Sequence, residues 1–257
     1  MKKPVIAIIP DYQNGAEGQY SVQPHYALRC NYVEMLENAG AVVVILPFNH
    51  QAIDDYLAMI DGIMVVGGNF DLHPKFYQQE MHPAIKLNEV RQDFEWEFMN
   101  KALKTNMPIL GICNGMQLIN ILHKGDVIQH IPDNPQFIDH EQSHHQDFKD
   151  YHKAYHQVNI DSNSKLFAIT GKEKIHTNSS HHQAVGRLGD GLVACGFAID
   201  GVVEALEKTN HPFCLAVQWH PEFVSSEVDE KIFASFVEAS KLKHSSCRLQ
   251  NGTQKDL

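Results

Sequence analysis

The stretch Met107-Pro108-Ile109-Leu110-Gly111-Ile112-Cys113-Asn114-Gly115-Met116-Gln117-Leu118-Ile119-Asn120 constrains the fold more than any other part of the chain. A short apolar run behind a proline reads as a buried strand. The chain then passes through Gly111-x-Cys113-x-Gly115 into Met116, Leu118, Ile119 and Leu122, an apolar face at helical spacing. This is the cysteine form of the G-x-S-x-G elbow, in which a strand turns at once into a helix. Such a turn brings backbones close together, and glycine leaves room where a side chain would clash. The residue between the glycines is expected at the tip, in strained geometry with its side chain exposed. Cys113 is then expected at a helix N-terminus, where the dipole and free N–H groups favour a thiolate. A buried cysteine in an ordinary strand–helix turn fits the same residues, so the elbow needs support from elsewhere.

Support comes first from the alternation of elements. Val5–Ile9, Val42–Leu46 and Gly62–Val66 read as short buried strands, the last ending at Gly67-Gly68. Between and after them, helical spacing appears over His25–Asn38, Ile53–Ile60 and roughly Leu87–Lys104. Such alternation means βαβ units and a parallel sheet buried on both faces. After Leu122 the pattern breaks. Residues 123–156 are polar and rich in His, Asp and Gln, and read as a long surface excursion. Gln157–Ile160, Leu192–Ala198, Val202–Glu207 and Phe213–Gln218 read as antiparallel additions plus one last central strand. Glu227–Lys241 reads as a closing amphipathic helix. The expected fold is α/β: a flavodoxin-like, mostly parallel central sheet with helices on both faces and added antiparallel strands. One domain is expected over residues 1–242, with 243–257 a loose polar tail.

Composition narrows the function classes. At 257 residues the chain suits one large domain. A net charge of −10 argues against a nucleic-acid surface or an anionic membrane as partner. The five cysteines are odd in number, widely spaced and free of C-x-x-C, which argues against a disulfide framework and fits a reducing cytoplasm. The apolar run after Lys2-Lys3 is too short for a signal peptide, and no stretch is long enough to span a membrane.

A second stretch carries chemistry. In Phe213-Cys214-Leu215-Ala216-Val217-Gln218-Trp219-His220-Pro221-Glu222-Phe223 an apolar strand delivers His220 at its C-terminal end, where ligands of open parallel sheets bind. A nucleophilic cysteine needs a base, and histidine has the right basicity. The base needs a carboxylate to fix its tautomer, and Glu222 lies two residues on across a stiffening proline. Cys113, His220 and Glu222 can form a Cys-His-Glu triad.

With G-I-C-N-G-M-Q and the distant Q-W-H-P-E-F together, the chain resembles the class I glutamine amidotransferase superfamily. Within it, the resemblance is to free-standing hydrolases of the γ-glutamyl-γ-aminobutyrate hydrolase type (peptidase C26-like). Gly67-Gly68 followed by Asp71, Pro74 and Tyr77, Arg91-x-x-Phe94-Glu95, Asn178-Ser179-Ser180-His181-His182-Gln183-Ala184-Val185 and Asp200-Gly201-Val202-Val203-Glu204-Ala205 agree, in the expected order from about residue 4 to about residue 240. The resemblance implies attack by Cys113 on the side-chain amide of a γ-glutamyl compound. It implies an oxyanion held by the backbone N–H groups of Asn114 and Gly68, and His220 as acid and base. It places Gly67, Gln117, Ser179, His181 and His182 around the substrate. It implies no cofactor and no metal. The expected partner is a small γ-glutamyl substrate; a homodimer is compatible with it, and nucleic acid and membrane are not expected. The subgroup commonly carries arginine after the nucleophile, where this chain has Asn114, which bears on the substrate more than on the reaction.

His140-Glu141-Gln142-Ser143-His144 matches H-E-x-x-H, a zinc-protease signature that works only on a helix. With Pro132, Pro135 and Asp139 before it and a weak apolar face around it, a chance match among 17 histidines is expected. Three function classes stand: a self-contained γ-glutamyl amide hydrolase, which the N-S-S-H-H-Q stretch favours; a glutaminase subunit supplying ammonia to a partner synthase; and a non-catalytic binding protein on the same fold.

Overall fold

A computed structural model describes residues 2–252. The elements in chain order are β1 Val5–Ile8, β2 Asp11–Gln13, β3 His25–Ala27, α1 Cys30–Asn38, β4 Val42–Ile45, α2 Ile53–Met59, β5 Gly62–Val65, α3 Glu89–Ala102, β6 Ile109–Ile112, α4 Asn114–Leu122, β7 Val127–Ile128, β8 His156–Ile160, α5 Lys165–Thr170, β9 Lys174–Thr177, β10 Ala184–Val185, β11 Leu192–Ala198, β12 Val203–Lys208, β13 Cys214–Val217 and α6 Asp229–Gly252. Strands β4-β1-β5-β6-β13 lie side by side and all parallel, which is the flavodoxin-like order. Beyond β13 the same sheet continues antiparallel through β12, β11, β8 and β9, with β10 paired to β12 and β7 paired to β10. The fold is therefore the expected α/β sandwich with antiparallel additions.

The parallel strands are apolar on both sides because both faces are covered. On one face Tyr32, Leu36, Ile232, Phe233 and Phe236 of α1 and α6 pack on Ile6, Met64, Leu110 and Leu215. On the other, Phe94, Phe98, Met116 and Ile119 of α3 and α4 pack on Ala7, Ile63, Ile109 and Ala216. Residues β13 and β6 are in register from Cys214↔Ile109 to Val217↔Ile112, which brings the chain after Ile112 beside the chain after Val217. Cys113 and His220 thus leave the sheet at adjacent C-terminal strand ends.

Three expectations need correction. The helix expected over His25–Asn38 begins only at Cys30, because His25–Ala27 pairs with Asp11–Gln13 and Tyr26 packs edge-on against Tyr12. The closing helix runs on to Gly252, past its expected end at Lys241; residues 253–257 lie outside the described residues. The polar excursion is not a surface loop throughout, since Val127, Ile131, His140 and Gln142 are buried. Among the described residues no helix is long and apolar enough to cross a membrane.

Candidate active site

The elbow forms as its sequence demands. Cys113 sits between β6 and α4 with φ 52° and ψ −109°, a left-handed backbone that a non-glycine residue adopts only under constraint. The constraint is packing: a side chain at position 115 would run into the carbonyl of Val65 on the neighbouring strand, so only glycine lets α4 start this close to the sheet. The Cys113 sulfur lies at the head of α4 and 4.0 Å from the carbonyl of Ser180.

His220 comes from the loop after β13, its backbone clamped twice by the Asn178 amide: its N–H donates to Asn178 Oδ1 at 2.8 Å, and Asn178 Nδ2 donates to its carbonyl at 2.8 Å. The imidazole Nδ1 donates to Glu222 Oε1 at 2.7 Å, which leaves the other ring nitrogen for Cys113. Burial works against a charged ring here. The Glu222 carboxylate and Cys113, each also hydrogen-bonded to the ring, nevertheless hold His220 well above its ordinary value of 6.5. Tyr32 completes the back of the site, its hydroxyl 3.5 Å from His220 Nδ1. Burial, then the Glu222 carboxylate, push its phenol well above 10.0.

Cys113 opens into a cavity of about 410 Å³ whose floor includes Gly68 and Asn114, the two expected oxyanion donors. The loop carrying Gly68 is pinned by Arg91 of α3. Its guanidinium donates to the carbonyls of Val66 at 2.8 Å and Gly67 at 3.2 Å, and pairs with Glu95 at 2.9 Å and with Asp11. Arg91 is 3% exposed and Glu95 1%, so this is a buried network. The Asn114 amide ties the same loop from the other side, donating to the carbonyl of Phe70 at 3.0 Å.

Cys113 and the His220–Glu222 pair thus stand together at the ends of adjacent parallel strands. The family model "Peptidase C26" matches residues 4–222. The chain belongs to the peptidase C26 family. A protein of Rickettsia prowazekii named "Putative glutamine amidotransferase-like protein RP404" is 36% identical, covering 93% of this chain and 99% of its own. The γ-glutamyl-γ-aminobutyrate hydrolase PuuD of Escherichia coli K12 is 26% identical, covering 93% of this chain and 94% of its own. The solved glutaminase domain of Trypanosoma brucei CTPS with bound acivicin shares the fold, with a TM-score of 0.55 at 18% identity over 93% of this chain and 94% of that one. The family places the chain in the class I glutamine amidotransferase-like superfamily.

For this peptidase C26 chain, the expected substrate-binding residues divide. His182 lines the cavity, and its Nε2 lies 2.8 Å from Asp71 Oδ1. Gln117 also lines it, but its amide nitrogen is committed to the Gln183 carbonyl at 3.2 Å and Gln218 Oε1 at 3.1 Å. Gly67 does not line the cavity: a Cβ there would stand 2.9 Å from the His220 ring and 3.3 Å from Cys113, so glycine leaves room for these two side chains to approach. Ser179 is fully buried, its hydroxyl donating to the His140 carbonyl at 2.6 Å and its N–H to Gln142 Oε1 at 2.7 Å, which makes it a strut rather than a contact. His181 borders the cavity, but its ring is turned inward, Nδ1 donating to the Gln183 carbonyl at 2.9 Å.

Sequence reasoning missed Asp71, Lys86 and Glu141 as cavity residues. Glu141 belongs to the H-E-x-x-H match, and there is no helix of that kind: residues 142–144 form a single 3-10 turn. A bridge between Glu141 and Ser180 instead lays this part of the excursion along the cavity, with Ser180 Oγ 3.2 Å from Glu141 Oε2 and 3.2 Å from Tyr151 Oη. His144 points away to Asp139 at 3.0 Å on the surface.

Proposed function

We propose that the chain is a cysteine-dependent hydrolase of small γ-glutamyl amides, working through a γ-glutamyl thioester. The observation that carries this reading is the Cys113–His220–Glu222 alignment at the mouth of a cavity floored by Gly68 and Asn114. The Cys113 sulfur attacks the δ-carbonyl carbon, and the oxygen, now negative, is met by backbone N–H groups fixed before the charge develops. His220, held protonated, gives its proton to the leaving nitrogen as the C–N bond breaks, and the free amine departs. His220 then takes a proton from water as that water attacks the thioester, and Cys113 leaves with the electron pair as glutamate is released. Glu222 keeps the ring oriented and balances its charge through both steps.

The cavity supports a zwitterionic glutamyl head. Lys86 and His182 bring positive or protonatable groups, and Asp71 and Glu141 bring carboxylates. An α-carboxylate and an α-ammonium need partners of both signs. Asn114, in place of the subgroup's usual arginine, leaves the oxyanion donor intact because that donor is a main-chain group; its side chain serves the loop instead.

Steady-state kinetics of the purified chain alone, with glutamine, γ-glutamyl-γ-aminobutyrate and short γ-glutamyl peptides, test the proposal. Faster release of the amine from a larger γ-glutamyl compound than of ammonia from glutamine is expected. No turnover of any of them alone, with glutamine cleavage only after a synthase is added, would overturn the hydrolase reading in favour of ammonia supply.

A further inference from the structure

Away from Cys113, four segments distant in sequence bring polar side chains to one buried point. His140 arrives from the excursion, His156 from the start of β8, His181 from the loop before β10 and Glu204 from β12. Their side chains are 0%, 4%, 2% and 0% exposed. Burying this many polar groups is costly unless each finds a partner.

The hydrogen bonds they do make fix one donor nitrogen on each of two rings. A carboxylate oxygen only accepts, so His140 Nε2, 3.0 Å from Asp200 Oδ2, must donate. A carbonyl likewise only accepts, so His181 Nδ1 must donate to Gln183. The remaining nitrogens, His140 Nδ1 and His181 Nε2, lie 3.3 Å and 3.5 Å from Glu204 Oε1. His156 Nε2 faces the same oxygen from 3.7 Å. None of these three nitrogens, and neither oxygen of Glu204, has a hydrogen-bond partner.

A buried carboxylate among imidazoles needs positive charge beside it, from a protonated ring or from a bound cation. Charge-assisted N–H···O bonds run at about 2.7–2.9 Å, clearly shorter than these contacts. A tetrahedron with metal–ligand bonds of about 2.0–2.1 Å has edges of about 3.3–3.4 Å, close to the separations seen here. Ligand atoms of His140, His156 and Glu204 also lie within 4.8 Å of one another.

We propose that His140, His156 and Glu204 bind one zinc ion. The chemistry of the set agrees: imidazole nitrogens and one carboxylate suit Zn²⁺. The outer partner of His140 agrees as well, since a metal-bound histidine donates its other N–H to a carboxylate or a carbonyl, as His140 does to Asp200. The ion's two positive charges balance Glu204 and Asp200. His181 stands beside the set, its Nε2 3.5 Å from Glu204 Oε1, and its neighbours Ser180 and His182 line the Cys113 cavity. The site is also distinct from an H-E-x-x-H centre: His140 takes part, but His144 does not, being 64% exposed and turned to Asp139.

The test is metal content by plasma mass spectrometry of the full chain purified without chelator, followed by Co²⁺ titration of chelator-stripped chain. Wild type is expected to retain about one zinc per chain and, once stripped, to give the intense visible bands of four-coordinate cobalt. His144→Ala keeps both signals; His156→Ala and Glu204→Gln lose them. If those variants fail to fold, the stripped wild type decides by itself: Zn²⁺ is expected to raise its thermal midpoint by several degrees. A wild-type chain that neither retains zinc nor develops cobalt bands overturns the proposal. So does zinc that survives both cluster substitutions or that disappears with His144→Ala.

Discussion

The two walls of the cavity beside Cys113 are held by different means. The wall formed by Cys113, Asn114 and Gly68 stands on parallel strands whose apolar residues are buried on both faces, and a single arginine, Arg91, pins its glycine loop. The facing wall, Ser180–Gln183, stands on polar pairings: Asn178 to His220, Ser179 to Gln142 and His140, and His181 to Gln183. The first wall holds the reacting atoms by packing, which is short-ranged and stiff. The second is assembled from hydrogen bonds between segments distant in sequence. His182 Nε2 on Asp71 Oδ1, at 2.8 Å, is a direct link between the two.

Substitutions sharpen this contrast, with the largest effect expected at the triad. His220→Ala should lower kcat by about 10⁴-fold or more, and Glu222→Gln by about 10³-fold, since the latter misplaces the imidazole without removing it. Equal and mild losses would make His220 structural. The same pair predicts a pH effect. His220 is held above its ordinary 6.5, so its contribution to folding stability is full below that pH and is lost as pH rises through the folded value. Titration of the His220 ring by NMR should show a midpoint above 6.5 that falls in both Glu222→Gln and Cys113→Ala. An unchanged midpoint in either variant would remove that partner from the account.

A smaller effect is expected at Arg91. Lysine cannot reproduce the fork that reaches the Val66 and Gly67 carbonyls while pairing with Glu95 and Asp11, so Arg91→Lys should let the Gly68 loop shift and cost about 10- to 100-fold in kcat. Loss of KM alone would mean that this loop binds substrate rather than holding the oxyanion. The smallest effect belongs to the polar wall: His182→Ala should raise KM about tenfold, roughly one hydrogen bond's worth, with kcat nearly unchanged. The reverse pattern would move this loop into the chemistry.

The same contrast explains what the sequence discloses. The elbow, the parallel strands and the His220–Glu222 spacing are legible because local residues decide them: Gly115 is needed against Val65, and a proline joins His220 to Glu222. The start of α1 is not, because Tyr26 prefers a partner strand that lies beyond any local window. Residues 123–156 read as solvated because they are polar, yet His140 and Gln142 are buried against partners 37 to 60 residues away. Polar-to-polar burial leaves no periodicity to find. For the same reason Ser179 and His181 read as contacts when their donors are already used within the protein, and Glu141 reads as part of a chance motif when it borders the cavity.

The central claim is that Cys113 is the nucleophile that His220 serves. Acivicin, the compound bound in the trypanosomal glutaminase domain, offers a direct measurement. The purified chain, treated with acivicin and analysed by peptide mass spectrometry, should carry one adduct, on Cys113, at a rate that drops sharply in His220→Ala. Labelling that falls on the exposed Cys30 instead, or that persists undiminished in Cys113→Ala, would contradict the account.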